Sequence, residues 1–437
     1  MSGEVAAAVA EAHRREWAFV LAATVRVTRD LDAAEESVQD AYVSALTAWA
    51  RDGVPARPGA WLTTAARRNA LNALQRGSTL RAKLPLLIEP AGEESLGGGL
   101  GPGGDGASGG AEYDAADAIP DDRLRLVFVC CHPALAREAQ VALTLRLVCG
   151  VATPDVAHAF LVSEPTMAAR ITRAKKKIAA AGIPYAVPAA EELPQRLDAA
   201  LTVVHLLSAT GHTAPSGERL VREELADRAL DLARTLHALL PAEHEAAGLL
   251  ALLLCHHARR ATRTDAAGRL TRLEQQDRSR WDQAEIAEAD RLIVAALRAG
   301  PAGRFTLQAA IASLHAHAPS HAETDWPQIL ELYDALLRVW PSPVVALNRA
   351  VALAAVEGPA AGLTAVEAIE RDGRLAGYRY LPSTKADLLS RLGRHAEAAD
   401  AYRAALALTD NGPEQEFLAA RAEELRGRGP LSRGERP

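Results

Sequence analysis

A glycine-rich segment separates the first quarter of this 437-residue chain from the rest. Nine of the fourteen residues from 97 to 110 are glycine. Glycine loses the most backbone entropy on folding, so a packed helix or strand does not tolerate such a run. The segment therefore predicts a flexible, acidic linker over residues 85–118, and the length of the chain predicts two to four domains.

Composition favours helices on both sides of this linker. Apolar residues make up 49% of the chain but aromatic residues only 4%, and Ala and Leu are abundant. Strands prefer aromatic and β-branched residues, so we expect an all-α fold. One helix is predicted to begin at Leu31 with Asp32 as its N-cap, and the next to cover Trp61–Gln75. Their predicted core positions are Ala34, Val38, Ala41, Tyr42, Ala45, Leu46, Leu62, Ala65, Ala66, Leu71 and Leu74.

The net charge of −6 conceals a segregation of charge along the chain. Residues 59–83 and 165–178 each contain five basic residues and no acidic one. Residues 84–122, between them, contain nine acidic residues and no Lys or Arg. Two basic strips joined by an acidic spacer indicate contacts with nucleic acid at two places.

The second strip lies in a predicted helix-turn-helix. Helices are expected at about 121–131, 136–149, 153–161 and 164–181, and the last two are joined by a tight turn with Ser163 as N-cap and Pro165 in the first turn. In such a unit the second helix contacts base edges with its first residues and phosphates with its later Arg and Lys. This spacing favours DNA binding over a solvated surface helix.

Two segments together resemble the extracytoplasmic-function (ECF) sigma factors of the sigma-70 superfamily. The first is AEESVQDAYV at residues 34–43, followed by the helix that opens with Trp61-Leu62 and continues through Ala65, Ala66 and Asn69. The second is the helix-turn-helix, with Thr166-Met167 and Arg173-Ala174-Lys175. The resemblance implies a region 2 domain at 1–84 and a region 4 domain at 119–183, that is, two small helical domains joined by the linker.

The resemblance also implies a role for each segment. The first would dock on the β′ clamp helices of bacterial RNA polymerase core through Asp32, Glu35, Glu36, Gln39 and Asp40. The helix after it would bind and open the −10 promoter element through Trp61, Arg67, Arg68, Asn69, Asn72 and Arg76. The helix-turn-helix would sit near the β flap and bind the −35 element through Ser163, Thr166, Met167, Arg170, Arg173, Lys175, Lys176 and Lys177.

Four further segments, 119–124, 130–133, 277–282 and 324–327, resemble a subgroup of these factors whose second half is a tetratricopeptide-type extension. A helical middle domain is expected at 187–295 and tetratricopeptide-like repeats at 300–428. Segments Leu332–Leu336 and Ala401–Ala405 are similar and lie 69 residues apart, about two periods of a 34-residue repeat. A generic helical bundle is the alternative. We expect this extension to regulate the factor or to bind a protein partner.

No enzyme chemistry emerges from the residue pattern, and neither a catalytic residue, a metal nor a cofactor is predicted. Cys130-Cys131-His132 lacks a second pair at zinc-finger spacing. Residues 277–282 could be catalytic, but an ion-pair network between helix hairpins is the favoured interpretation. Four cysteines do not form a disulfide framework, and the longest apolar run, Ala246–Cys255, cannot span a bilayer. We expect a cytoplasmic protein with reduced thiols and no membrane partner.

Two other functions fit parts of the pattern. A helix-turn-helix regulator would bind DNA without polymerase, whereas a tetratricopeptide scaffold would use its first half only structurally. The paired basic strips favour the sigma factor, which binds promoter DNA together with core polymerase.

Overall fold

A computed structural model describes residues 2–87, 122–160, 162–189, 191–214 and 216–427. Over these ranges regular structure is helical apart from two paired two-residue strands, so the all-α prediction is confirmed. The predicted linker lies almost wholly outside the described residues.

The helices are α1 Ser2–Thr28, α2 Leu31–Asp52, α3 Pro58–Leu87, α4 Asp122–Cys130, α5 Arg137–Leu143, α6 Thr153–Ala159, α7 Glu164–Ala180, α8 Leu193–His212, α9 Glu223–Leu239, α10 His244–Ala258, α11 Gln283–Ala299, α12 Arg304–His317, α13 Trp326–Val339, α14 Pro343–Val356, α15 Pro359–Asp372, α16 Tyr380–Arg391, α17 His395–Leu406 and α18 Gly412–Gly427.

The contacts divide the chain into two compact units. Unit 1 contains the described residues up to Ala152 together with Ala168–Arg196, and unit 2 contains Thr153–Met167 together with Leu197 onwards. Unit 1 thus holds helices from both sides of the glycine-rich segment. Each unit is described by itself below.

In unit 1, α1, α2 and α3 pack against one another, and α1 also contacts α4. α5 continues into a π-helical turn at Thr144–Val148. The Trp17 indole on α1 donates to Leu147 O at 3.1 Å. The Tyr185 hydroxyl lies 3.0 Å from Ala22 O and 2.9 Å from Asp122 O. These long-range bonds join the N-terminal helices to α4 and to the residues after α5.

The N-cap of α2 and three predicted core positions differ from the sequence prediction. Asp30, not Asp32, caps the helix, because its carboxylate accepts from Ala33 N at 2.9 Å. Leu46, Leu71 and Leu74 are exposed, since each lies on the side of its helix that faces away from the three-helix core. The other eight predicted core side chains of α2 and α3 are buried.

Unit 2 begins with a group in which α10 is central and contacts α9, α11 and α12. The N-terminus of α12 lacks a side-chain cap of its own, because Gly303 occupies that position. Glu245 of α10 takes over the cap and accepts from Phe305 N at 2.8 Å and from Thr306 N at 3.1 Å. Gly248, one turn further along α10, lets α12 approach so closely that a Cβ there would lie 2.6 Å from Thr306 N.

From α13 to α18 each helix packs on its neighbour in the chain. The hairpins begin at residues 326, 359 and 395, which are 33 and 36 residues apart. This spacing is close to the 34-residue period of tetratricopeptide repeats. Strand β2, Asp410–Asn411, pairs in parallel with β1, Ser216–Gly217, so the last hairpin is tied to the start of unit 2. The buried Asn411 strengthens this contact by donating to Ala214 O at 3.2 Å and Arg219 O at 3.0 Å.

Candidate nucleic-acid interface

The acidic surface predicted on α2 is largely exposed. Asp32, Glu36, Gln39 and Asp40 face solvent, whereas the Glu35 side chain is 10% exposed. Glu35 follows Ala34 and precedes Val38 on the core-facing side of α2, so its burial follows from the position of those residues. The described structure thus leaves four of the five predicted polymerase-binding side chains open to solvent.

Lys175 of α7 neutralises this buried carboxylate. Its Nζ lies 2.6 Å from Glu35 Oε2 and 2.8 Å from Asp32 Oδ1, and Arg146 also pairs with Glu35. Burial by itself would lower the pKa of Lys175, but the two carboxylates outweigh it and the pKa is raised. Lys175 therefore stays charged at neutral pH and links α7 to α2.

Some side chains of the basic strip on α3 pack against the fold, and others are exposed to solvent. Trp61 is half-buried, with its ring edge-on to Trp49 at 5.7 Å between centroids. Asn69 donates to Ser37 O at 3.3 Å and so joins α3 to α2, and the Nε of Arg67 is buried without a hydrogen-bond partner. The exposed members of the set are Arg68, Asn72 and Arg76.

The helix-turn-helix has the predicted turn. Thr166 N lies 3.4 Å from Ser163 Oγ, and the two hydroxyls are 2.8 Å apart, so Ser163 caps the start of α7. Along α7 the buried positions are Met167, Ile171, Ala174, Lys175 and Ile178. The exposed ones include Thr166, Arg173, Lys176 and Lys177, and Arg170 is intermediate. α7 thus presents a basic, solvent-facing side, and its buried side includes two predicted DNA contacts, Met167 and Lys175.

The structure brings together only part of the predicted set: Asp32, Glu35 and Lys175. It also places two residues at this cluster that the sequence analysis did not single out. Arg146 pairs with Glu35, and its guanidinium lies 5.6 Å from the centroid of the Trp17 ring. Neither lies in a charged strip, so only their tertiary contacts identify them.

The structure also bears on the Cys130-Cys131-His132 motif and on residues 277–282. Burial raises the pKa of Cys131 to about 12 and that of Cys130 as well, so both are inert thiols. Among the described residues, no group of three His, Cys, Asp or Glu side chains could hold a metal ion. The expected ion-pair network at 277–282 is wrong: Arg278 donates to the backbone at His315 O and Ala318 O, and Asp282 caps α11.

Comparison with known proteins identifies helices α1 to α3. Residues 13–79 match sigma-70 region 2, and residues 196–297 match a family of unknown function, DUF6596. The chain is also 42% identical over 412 residues to an uncharacterized protein, R00370, of Rhizobium meliloti strain 1021, and the alignment covers 93% of each chain. The chain belongs to the family of that protein, and its region 2 domain places it in the sigma-70 superfamily.

Within the described residues no helix is both long enough and apolar enough to cross a membrane.

Proposed function

We propose that this chain is an ECF-type sigma factor that binds core RNA polymerase, recognises −35 and −10 promoter elements and initiates transcription. The observation that carries this proposal is the sigma-70 region 2 match at residues 13–79. Such a factor acts in the cytoplasm by binding and by opening DNA, and it performs no covalent chemistry itself.

The polymerase contact would use α2. Asp32, Glu36, Gln39 and Asp40 form an exposed polar and acidic face over two turns of that helix. An acidic helix of this kind complements a basic surface and speeds association with it. The β′ clamp helices are the proposed partner, and the β flap would hold the helix-turn-helix.

The promoter contacts would use α3 and α7. Arg68, Asn72 and Arg76 are exposed and could hold a displaced DNA strand near the −10 element, with Trp61 as a stacking surface. Arg173, Lys176 and Lys177 supply phosphate contacts for the −35 element, and Ser163 and Thr166 stand where base edges would meet the helix start.

The ion pairs of Lys175 hold α7 against α2, so the described arrangement of unit 1 is a closed one. The −35 and −10 elements are named for positions about 25 base pairs apart, which is about 85 Å along B-DNA. α7 cannot occupy one element and α3 the other while Lys175 Nζ remains 2.8 Å from Asp32 and 2.6 Å from Glu35. Binding to polymerase and promoter would therefore break these pairs and free Asp32, Glu35 and Lys175 for the roles proposed for them.

The helical second half would act as a regulatory or interaction extension. The stacked hairpins from α13 to α18 resemble tetratricopeptide repeats in spacing and in nearest-neighbour packing. Repeats of this kind offer extended surfaces for a protein partner, which supports an interaction role.

Run-off transcription tests the proposal. The purified chain and core polymerase are incubated with a genomic promoter library, and we expect defined transcripts that require both. The double variant Arg173→Ala/Lys177→Ala should reduce them about tenfold or more through lost phosphate contacts, while Arg338→Ala, an exposed arginine of α13, should not.

A gel shift on the recovered promoters distinguishes the other two functions. Specific binding without core polymerase would indicate an independent helix-turn-helix regulator. Absence of both transcripts and DNA binding would indicate a scaffold and would overturn the proposal.

A further inference from the structure

Unit 2 contains a partly open cavity of about 840 Å³. Its walls come from α8, α10, α12, α13 and α14 and from the segment 378–380. Small-molecule sites are usually of this size, and they combine an apolar lining with a few polar groups. The helices that form the wall thus leave room for a small molecule inside the helical second half.

The cavity lining combines apolar and polar side chains. Apolar and aromatic contacts come from Leu252, Ile311, Leu336, Trp340 and Val345. Polar groups include four histidines, Asn348 and two arginines, Arg259 and Arg379, together with hydroxyl and amide side chains. Among the described lining residues there is no Asp, Glu or Lys, so the fixed charge of the wall is positive.

Arg259 is the unusual member of this wall. In the described part of the chain no carboxylate pairs with its guanidinium and no hydrogen bond engages it. Arg379, by contrast, pairs with Glu414 at 2.7 Å. The Arg259 side chain is only partly exposed, and an unpaired charge held partly out of water is costly.

The groups around Arg259 add positive potential and do not neutralise it. Arg278 bonds to two backbone carbonyls, and Arg263 to the His212 carbonyl and to Thr213 Oγ1 at 3.1 Å, so neither brings a carboxylate. Burial lowers the pKa of Arg259, and Arg278 lowers it further. The region therefore favours an anion over any other class of ligand.

The four histidines of the wall are neutral donors or acceptors. Burial lowers the pKa of His205 and of His315 to about 4, and Arg304 and Arg259 respectively add to this effect. Burial likewise lowers the pKa of His212 and His256, whose ring centroids lie 5.0 Å apart, with Arg259 and Arg263 contributing. Neutral imidazoles can orient a polar ligand without neutralising Arg259.

We propose that this cavity binds a small organic anion, with a carboxylate or phosphate group on Arg259 and an apolar body against Trp340, Leu336 and Ile311. A guanidinium matches either oxyanion by two parallel hydrogen bonds. The proposal adds a ligand site to the extension and does not depend on the role of unit 1.

Binding is tested on the full chain by thermal shift and calorimetric titration. Benzoate and hexanoate probe the carboxylate class, phenyl phosphate probes the phosphate class, and benzamide and hexanamide are the neutral matches. Sodium chloride of equal ionic strength is the reference. We expect at least one class of anion to raise Tm with saturation while its neutral match does not.

Two variants then assign the site. Arg259→Gln should weaken binding of the active anion about tenfold to a hundredfold, the effect of losing a charged hydrogen bond. Arg338→Gln, an exposed arginine on α13, should leave binding unchanged. If no anion binds the unaltered protein, if neutral matches bind equally well, or if Arg259→Gln retains affinity, the proposal is overturned.

The stability of the ligand-free protein gives a second readout. Arg259→Met removes an unpaired charge and should raise Tm without ligand, as expected for a residue kept for binding at a cost in stability. If Arg259 served only to stabilise the fold, Arg259→Met would lower Tm instead. A lowered Tm together with unchanged ligand binding would overturn the assignment.

Discussion

Lys175 stands in the most basic run of the chain, yet in the structure it serves an intramolecular contact. Its side chain is 9% exposed and pairs with Glu35, which is 10% exposed. Breaking a buried pair from one side leaves the other charge uncompensated, and this commonly costs about 3–5 kcal/mol. The neighbouring Lys176 and Lys177 face solvent and carry no such cost.

Because Arg146 still pairs with Glu35 in the variant, we expect Lys175→Met to lower the free energy of unfolding by less than that full cost, about 2 kcal/mol. Lys176→Met should change it by less than about 0.5 kcal/mol. Urea unfolding followed by circular dichroism measures both. In a double-mutant cycle, Glu35→Gln should cost less in the Lys175→Met background than alone. If the effects of Lys175→Met and Glu35→Gln were additive, the ion pair between these two residues would be contradicted.

The histidines of unit 2 predict acid sensitivity. His205 and His315 have pKa values of about 4, below the ordinary 6.5, because burial disfavours their charged forms. Between pH 6.5 and 4 the unfolded chain therefore binds more protons than the folded protein does. The contribution of these two histidines to the free energy of unfolding is thus present above pH 6.5 and is lost as the pH falls. His257 acts in the opposite sense: burial would lower its pKa, but Glu285 and Asp227 raise it, so its contribution is lost as the pH rises above 6.5.

Thermal unfolding across pH 7.5 to 4.5 checks this balance. The double variant His205→Gln/His315→Gln should lose less stability on acidification than the unaltered protein, by an amount on the order of a few kcal/mol. Equal slopes for the two proteins would show that these imidazoles do not titrate as the structure implies.

At the scale of single elements, α10 and α12 show how a small residue sets a helix contact. Gly248 lies against the backbone of Thr306, and Glu245 caps the same helix start. A backbone atom cannot rotate away as a side chain can, so a methyl group at position 248 must push the helices apart. Overpacking of this kind costs about 1–3 kcal/mol.

Gly248→Ala should therefore lower Tm and the free energy of unfolding by about 1–3 kcal/mol. Gly377→Ala is the matched control, because a Cβ there meets nothing within 4 Å and its φ is not positive. That control should be neutral or slightly stabilising, by up to about 1 kcal/mol. A tolerated Gly248→Ala would mean that α10 and α12 pack less tightly than described.

The buried positions of α7 follow the helical periodicity of the sequence. Positions 167, 171, 174 and 178 recur at the spacing of one helix face, and all four are buried. Lys175 follows 171 by four residues and so belongs to the same face, which a helical projection of the sequence indicates. Its partner on α2 could not be foreseen, because 140 residues separate Glu35 from Lys175.

At the scale of the whole molecule, the proposed function requires unit 1 to open. Fluorescent labels on Ser44→Cys and Ala180→Cys, two exposed positions on α2 and α7, would report the separation. The four native cysteines are buried, so exposed engineered thiols should react selectively. We expect energy transfer to fall when core polymerase and promoter DNA are added together.

The same measurement has an internal control. Polymerase that lacks promoter DNA shows whether docking of α2 alone breaks the Lys175 pairs. Unchanged energy transfer in a complex that produces transcripts would contradict the closed arrangement and leave the proposed promoter contacts of α7 without support.

The sequence by itself determined the helical class, the approximate positions of several helices before residue 182 and the charged surfaces of this protein, because periodicity and charge are local properties of the chain. The region 2 match agrees with what the first 84 residues indicated. Only the tertiary structure decided that Asp32, Glu35 and Lys175 neutralise one another and that Arg259 stands unpaired in a cavity. Both depend on contacts between residues distant in sequence, and the cost of burying a charge is set by what surrounds it after folding.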